Sequence, residues 1–348
     1  MDLAPAFFCP KRLAEAPPPT QRAYFSNRTA WLMAQMSRLA YEPFEPPEAT
    51  HASTVEALAK AEDKEAIGRI LASYREGLLQ EARLGRERLE RILAEVDFEL
   101  VNTYCQKGTE GFLAQRSSDK MAVLAFRGTQ TDSLADIKTD LRAYTTERGN
   151  IKTHTGFLDA FRKVKDAVEQ DLHGLGKDYA VYVTGHSLGG ALALVATKQL
   201  QAENFAACYT FGSPRVGNSE FGDSIKTPIY RVVNTADIVP RLPPGIFIEV
   251  FVDLLRLGSW IFWFLEPLAK VLDDRVSGYR HHGDMRYLTG CREVDYSDVR
   301  IIQNISFLAR IRRLWKHRSP FGDRIRDHNI SEYCNKLAAY VTKRLQVE

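Results

Sequence analysis

Cysteine is scarce in this chain, and its spacing carries no metal or disulfide signature. Five of the 348 residues are cysteines, and they are scattered, with no CxxC pair. A disulfide framework needs paired cysteines, and structural zinc sites use closely spaced ones. The sequence therefore predicts neither a disulfide-stapled fold nor a zinc site, and it favours a reducing compartment.

A large excess of charge of one sign is also missing. The formal net charge is +3 at pH 7, from 47 Lys and Arg against 44 Asp and Glu. Proteins that bind nucleic acid usually carry a strong positive excess or a recognisable motif of basic and aromatic residues, and this sequence has neither. Nucleic acid is therefore not an expected partner. The 45% of hydrophobic residues is typical of a globular protein.

No segment has the composition of a signal peptide or of a membrane-spanning helix. Residues 1–20 have an acidic second residue and a proline cluster, instead of the basic, apolar and small-residue order of a secretory signal. We therefore expect a cytoplasmic protein, with export by a route that needs no cleaved signal as the open alternative. The most apolar stretch, residues 255–272, is interrupted by Arg256 and Glu266, whereas a spanning helix needs about 20 mainly apolar residues.

The chain divides into two parts of different texture. Residues 1–96 contain a proline-rich leader, a helical pattern at 29–44 with Thr29 as its expected cap, and one or two long charged helices over 53–96. We expect these helices to pack on the main domain, 97–348, as an N-terminal extension. A coiled coil that binds a partner is the alternative, which is disfavoured because glycines interrupt its pattern.

Short apolar runs alternate with helical patterns in the second part. The runs are FELVNTYC, GFLAQR, KMAVLAFRG, AVYVTG, FAACYTFGS and PIYRVVNT, and helical patterns at 156–172 and 188–202 lie between several of them. Apolar strands that alternate with helices predict a mostly parallel central sheet flanked by helices, an α/β fold. In such folds the functional site lies at the carboxyl ends of the strands.

A GxSxG motif lies between an apolar run and a helical pattern rich in Ala and Leu. It reads GHSLG, with Ser187 at its centre. A strained turn that presents a serine hydroxyl needs small residues on either side, and Gly185, Gly189 and Gly190 supply them. The helix that follows directs backbone N–H groups to the place where an oxyanion would form. The motif predicts a nucleophilic serine, and a tight turn without chemistry is the alternative.

A serine nucleophile needs a base, and the base needs an orienting carboxylate. In this architecture the chain order is serine, acid, histidine. Asp237 follows the apolar run that ends in RVVN and precedes several prolines, so it occupies the place expected of the acid, although a surface-turn aspartate would be the ordinary interpretation in isolation. His186 is held inside the motif. The residues alone leave four candidate bases: His281, His282, His317 and His328.

Seven motifs, the serine motif among them, occur in a fixed order over residues 97–340. They are VLAFRGT (123–129), HTGFLDAF (154–161), VTGHSLGG (183–190), FGSPRVGN (211–218), RVVNTADIVPRLPP (231–244), YRHHG (279–283) and DHNISEY (327–333). In this order they resemble the class 3 lipases, the fungal-lipase-like branch of the α/β hydrolases. The resemblance implies an α/β-hydrolase fold.

The resemblance also implies which histidine is the base. In these lipases the base lies in a late DH..Y segment, which here contains His328, whereas a YxHxG-like segment, here with His281, belongs to the sheet region. The implied triad is Ser187, His328 and Asp237, with His281 and His282 in structural roles.

An oxyanion hole follows from the same resemblance. The residue after FRG and the residue after the nucleophile donate backbone N–H groups in this family, and here these are Thr129 and Leu188. Losing one such donor typically costs about 3 kcal/mol in the transition state. The chemistry implied for these residues needs no metal and no organic cofactor.

The function implied is that of a serine-dependent lipase, which hydrolyses carboxylic ester bonds of acylglycerols or phospholipids through an acyl-enzyme. A soluble short-chain carboxylesterase is the alternative among enzymes. A catalytically silent hydrolase-like interaction protein is the alternative from another class. The sequence leaves the oligomeric state open.

An apolar insertion at about 245–275 follows the proposed acid, where the family connection is shorter. Its aromatic residues include Trp260, Phe262, Trp263 and Phe264. The segment 130–150, at the place of the family's amphipathic lid, is polar. We therefore expect the insertion to form a helical cap or acyl-binding wall at the mouth of the active site, with pure packing and a protein docking surface as alternatives.

A second segment suggests contact with a lipid surface. Residues 305–318 combine basic side chains with apolar and aromatic ones and contain no acid. Such a composition suits the surface of an anionic membrane. Together with the insertion it predicts peripheral contact with a membrane or lipid-droplet surface, and a solvated basic face with a packed apolar side is the alternative.

Overall fold

A central sheet of eight strands runs through the computed structural model, which describes residues 7–10, 13, 24–42, 58–61, 63–106, 108–128, 145–200, 202–241, 278–291, 295–306, 309 and 326–345. The order in this sheet is β1-β2-β3-β6-β7-β8-β9-β10, and β4 pairs with β5 in a separate hairpin. The strands are β1 (Glu99–Gln106), β2 (Thr109–Arg116), β3 (Met121–Phe126), β4 (Thr145–Arg148), β5 (Ile151–His154), β6 (Ala180–His186), β7 (Phe205–Phe211), β8 (Ile229–Asn234), β9 (Asp284–Leu288) and β10 (Ile301–Gln303).

The centre of the sheet is parallel and its two edges are antiparallel. Strands β3, β6, β7, β8 and β9 pair in parallel, whereas β1 and β2 at one edge and β10 at the other pair antiparallel with their neighbours. Every residue of β3 and β8 is buried, as expected for parallel strands covered on both faces. The predicted mostly parallel sheet flanked by helices is confirmed.

Helices cover both faces of the sheet. Helices α1 and α7 share one hydrophobic core with the sheet, and α3, α4 and α5 share the other. The helices are α1 (Asn27–Leu39), α2 (Lys64–Ala94), α3 (Thr155–Arg162), α4 (Lys165–Gly174), α5 (Leu188–Leu200), α6 (Ser219–Asp223) and α7 (Ile330–Leu345). Because β6 and β8 belong to the parallel part of the sheet, their carboxyl ends lie at the same edge. Helix α5 begins at the end of β6, and α7 begins near the same edge.

Helix α1 is a buried layer of this core. Ten of its thirteen residues are buried, because one side contacts the sheet and another contacts α7. The hydroxyl of Ser26 accepts the N–H of Thr29 at 3.3 Å, so Ser26 is the cap. The predicted cap at Thr29 is wrong, and the helix ends at Leu39, before the predicted end at residue 44.

Helix α2 is one continuous helix that is anchored near its carboxyl end. The side chain of Asp63 accepts the N–H of Ala66 at 2.7 Å and caps its start. Leu89 and Leu93 near its end are fully buried, whereas Leu71 is 47% exposed. The carboxyl end of the helix thus packs on the core, whereas Leu71 lies on an exposed part of it. The division of the chain at residue 96 stays a prediction.

Several predicted features lie outside the described residues. They are Thr129, most of the polar segment 130–150, the insertion 245–275 with Trp260, Phe262, Trp263 and Phe264, and most of 305–318, including His317. Among the helices that the structure describes, none has both the length and the apolar character needed to cross a bilayer.

Candidate active site

Ser187 lies at the tip of a strained turn between β6 and α5. Its φ angle is 56°, in the left-handed region that non-glycine residues rarely adopt. The N–H of Ser187 donates to the carbonyl of Phe211, the last residue of β7, at 2.9 Å, which ties the turn to the neighbouring strand. A Cβ on Gly185 would lie 2.2 Å from the carbonyl oxygen of Gly189, so the turn requires glycine there. Backbone strain at the single residue at the tip of such a turn is typical of a nucleophile elbow.

The three residues of the implied triad meet at the carboxyl edge of the sheet. Ser187 Oγ lies 2.9 Å from Nε2 of His328, and Nδ1 of His328 lies 3.0 Å from both carboxylate oxygens of Asp237. Asp237 follows β8, and His328 precedes α7. Since Nδ1–H donates to the carboxylate, Nε2 is free to accept the serine proton.

Asp237 is buried and held by two further donors. The hydroxyl of Tyr333 donates to Oδ2 at 2.5 Å, and the N–H of Val239 donates to Oδ1 at 2.9 Å. Burial, followed by the nearby carboxylate of Asp237, raises the pKa of Tyr333 well above its ordinary value. Tyr333 therefore stays protonated and keeps donating, which fixes the carboxylate that orients His328.

A second polar cluster lies behind the triad and joins its two loops. Lys336 on α7 is fully buried; its Nζ lies 2.6 Å from Oδ1 of Asn234 and 3.2 Å from Oδ1 of Asp327. The other oxygen of Asp327 accepts the N–H of Ala236 at 2.9 Å, and Asn234 Nδ2 donates to the carbonyl of Asp327 at 3.0 Å. The residues next to Asp237 and His328 are thus bonded to each other.

His186, beside the nucleophile, makes two hydrogen bonds. Its Nε2 lies 2.6 Å from the carbonyl oxygen of His328, and its Nδ1 lies 2.8 Å from the hydroxyl of Tyr41. Burial, and secondarily the nearby His328, lowers the pKa of His186 well below its ordinary value. The ring is therefore neutral near pH 7. Tyr41 comes from the chain just after α1, a contact that sequence reasoning missed.

The two other candidate histidines have different surroundings. Nε2 of His281 contacts the carbonyl of Pro240, on the turn after the acid. The ring of His282 packs against that of Phe221, 5.6 Å between centroids, and burial lowers the pKa of His282. Of the histidines that the structure describes, His328 is the one whose ring nitrogen is hydrogen-bonded to Ser187.

One half of the implied oxyanion hole can be located. Leu188 is the first residue of α5, so its N–H belongs to the group at a helix start that has no intrahelical partner. Thr129 lies outside the described residues, but Gly128 before it packs beside the nucleophile: a Cβ there would lie 3.2 Å from Cβ of Ser187.

The described residues contain no group of three or more His, Cys, Asp or Glu side chains that could hold a metal ion. The donors around Ser187 are instead an imidazole, a carboxylate and backbone N–H groups. Such a set can move a proton and stabilise an oxyanion, the two tasks of acyl transfer.

Comparison with known proteins agrees with this chemistry. Residues 123–247 match the family model described as "Lipase (class 3)". A lipase of Rhizopus niveus is 34% identical over 168 residues, 43% of this chain and 42% of that protein. The secreted mono- and diacylglycerol lipase 1 of Fusarium solani is 42% identical over 101 residues, 27% of this chain and 30% of that protein. The chain thus spans less than half the length of these curated relatives.

A solved structure shows the fold. The MDLA protein of Penicillium cyclopium is 19% identical, with a TM-score of 0.52 over 86% of this chain and 93% of that one. Together with the sheet described above, this likeness identifies the α/β-hydrolase fold that the motifs imply. Residues 123–247, which include the elbow serine and the buried aspartate, match the class 3 lipase family model, and the predicted resemblance is confirmed.

Proposed function

We propose that this protein is a serine-dependent lipase that hydrolyses carboxylic ester bonds of acylglycerols or phospholipids. The observation that carries the proposal is the hydrogen-bonded series from Ser187 through His328 to Asp237, with distances of 2.9 and 3.0 Å. A serine hydroxyl is a weak nucleophile alone, and an imidazole at this distance, oriented by a carboxylate, is what activates it.

The mechanism follows from these contacts. Ser187 attacks the ester carbonyl while Nε2 of His328 takes its proton, and Asp237 stabilises the imidazolium. The N–H of Leu188, and that of Thr129 by family resemblance, stabilise the oxyanion. His328 then returns the proton to the leaving alcohol, and an activated water hydrolyses the acyl-enzyme. Chemistry at the carbonyl thus requires only side chains and backbone groups.

The names of the relatives favour a lipid substrate. The Rhizopus niveus relative is named a lipase, and the Fusarium solani relative a mono- and diacylglycerol lipase. We propose that this protein also acts on acylglycerols. Purified protein assayed on triacylglycerols, phospholipids and nitrophenyl esters of increasing chain length separates this substrate class from a short-chain carboxylesterase.

Labelling by a fluorophosphonate probe tests the enzyme proposal directly. The native protein is expected to react at Ser187, and Ser187→Ala to lose all labelling, because the probe needs an activated hydroxyl. Ser118→Ala, which changes an exposed serine on the β2–β3 turn, should label like the native protein. Absence of labelling in the native protein would favour the interaction-protein alternative.

The apolar insertion is proposed to be a cap that contacts acyl chains or a lipid surface. Changing Trp260, Phe262, Trp263 and Phe264 to serine is expected to lower kcat/KM for long-chain or aggregated esters at least about tenfold more than for a soluble short ester, since burying one large apolar side chain is worth roughly 1.5–3 kcal/mol. Tyr24→Ser, at an aromatic residue that is 78% exposed, is the control. Equal losses of kcat/KM on both kinds of ester would indicate that the insertion only packs against the rest of the protein.

A further inference from the structure

A path of hydrogen bonds runs beside the triad and connects four distant parts of the chain. The hydroxyl oxygen of Tyr41 packs against Gly128 and is hydrogen-bonded to its backbone. The hydroxyl of Tyr41 lies 2.8 Å from Nδ1 of His186, and Nε2 of His186 lies 2.6 Å from the carbonyl oxygen of His328. We call these contacts the Tyr41–His186 relay.

The direction of each hydrogen bond in the relay is determined. A carbonyl oxygen only accepts, so Nε2 of His186 carries the proton. Because burial keeps this ring neutral, Nδ1 is an acceptor, and the hydroxyl of Tyr41 must donate to it. The oxygen of Tyr41 then accepts from Gly128. Burial also raises the pKa of Tyr41, so its proton stays in place.

Both ends of the relay lie beside Ser187. Gly128 directly precedes Thr129, the implied oxyanion donor, and its own Cα lies close to Ser187. The other end is the main chain of His328, whose ring accepts from Ser187. Between the ends, the rings of His186 and His328 are 4.7 Å apart at their centroids.

We propose that Tyr41 and His186 are positioning residues that hold Gly128 and the catalytic imidazole at a fixed separation around Ser187. This inference rests on the proposed hydrolase function. The proposed relay makes Tyr41, just after α1, part of the active site, although Tyr41 lies 87 positions before Gly128 in the sequence (128 − 41). Neither residue touches the substrate; each acts through the backbone that carries a reacting group.

The close packing at Gly128 explains why the relay fixes a distance. A Cβ at this position would lie 2.4 Å from the hydroxyl oxygen of Tyr41 and 2.7 Å from the carbonyl oxygen of His186. Gly128 is therefore in direct contact with both relay residues. Displacing a catalytic group by about 1 Å can lower a rate about a hundredfold, so a group that fixes this contact controls turnover.

Tyr41→Phe is the first test, because it removes a single oxygen atom from the relay. We expect kcat for a soluble short ester, expressed per fluorophosphonate-titrated serine, to fall about 10- to 100-fold, with KM within about twofold. Titration of the reactive serine removes any loss due to misfolded protein. Tyr24→Phe, at an exposed tyrosine, should keep the native kcat. An unchanged kcat in Tyr41→Phe would overturn the proposal.

A double-mutant cycle tests whether the two residues act as one unit. His186→Asn is expected to lower kcat to a similar extent. Since either change breaks the same path, the double variant Tyr41→Phe/His186→Asn should lose no more than the more impaired single variant. Losses that multiply would mean that the two residues act independently, and the relay would be rejected.

Nitrogen NMR of the histidine rings tests the relay without any assay of activity. The ¹⁵N signals of His186, identified by their loss in His186→Asn, should show a protonated Nε2 and an unprotonated Nδ1 at pH 7, and Tyr41→Phe should shift the Nδ1 signal. A proton on Nδ1, or no shift in Tyr41→Phe, would overturn the relay. If the native protein neither labels nor hydrolyses esters while these signals are as expected, the relay stands and the proposed function fails.

Discussion

Replacing His328 with alanine is expected to lower kcat/KM for a soluble ester by about ten thousand- to a millionfold. The change removes the only described imidazole that is hydrogen-bonded to Ser187, so the serine loses its base and the leaving alcohol its acid. Because His328 is buried, at 8% exposure, the fold of the variant has to be verified. Steady-state kinetics, with circular dichroism to verify folding, provide the measurement.

His281→Ala is the matched comparison, since both histidines follow Asp237 in the sequence and the residues alone did not separate them. His281 contacts the carbonyl of Pro240 through Nε2, and its loss should cost less than about tenfold in kcat/KM. The triad proposed here is wrong if His281→Ala is inactive while His328→Ala retains full activity.

The sequence predicted the sheet and the elbow because both depend on local patterns. Buried parallel strands are short apolar runs, and the elbow needs glycines around Ser187 whatever the rest of the chain does. The choice of His328 over His281 depended on the family resemblance, because four histidines satisfied the chain order. The structure adds the reason: the start of α7 reaches the carboxyl end of β6.

Contacts between distant residues were not predictable in the same way. Tyr41 and His186 are 145 positions apart, and Lys336 and Asn234 are 102 apart. A lysine on an amphipathic helix normally indicates a solvated face, so nothing local marks Lys336 as buried. The burial of α1 did leave a signal in the sequence. Besides Leu32 and Met36 on one face, Trp31 and Met33 lie on other sides, which indicates a helix that is apolar all round.

Replacing Lys336 with methionine is expected to lower the free energy of unfolding by about 3–5 kcal/mol. The change keeps the length of the apolar stem but leaves the carboxylate of Asp327 and the amide oxygen of Asn234 buried without their cation, and an uncompensated buried charge costs about this much. Urea unfolding followed by circular dichroism measures the loss. Lys343→Met, at an exposed lysine on the same helix, should change stability by less than about 0.5 kcal/mol.

Lys336→Met also tests whether the polar cluster of Lys336, Asn234 and Asp327 affects the triad as well as the stability of the fold. Asp327 also accepts the N–H of Ala236, next to Asp237, so an altered Asp327 should displace the acid and lower kcat per titrated serine. Adding Asp327→Asn to Lys336→Met removes the uncompensated charge and should restore part of the lost stability. It should not restore kcat, because the amide binds the Ala236 N–H more weakly than a carboxylate does. Recovery of both quantities together would mean that the cluster only stabilises the fold.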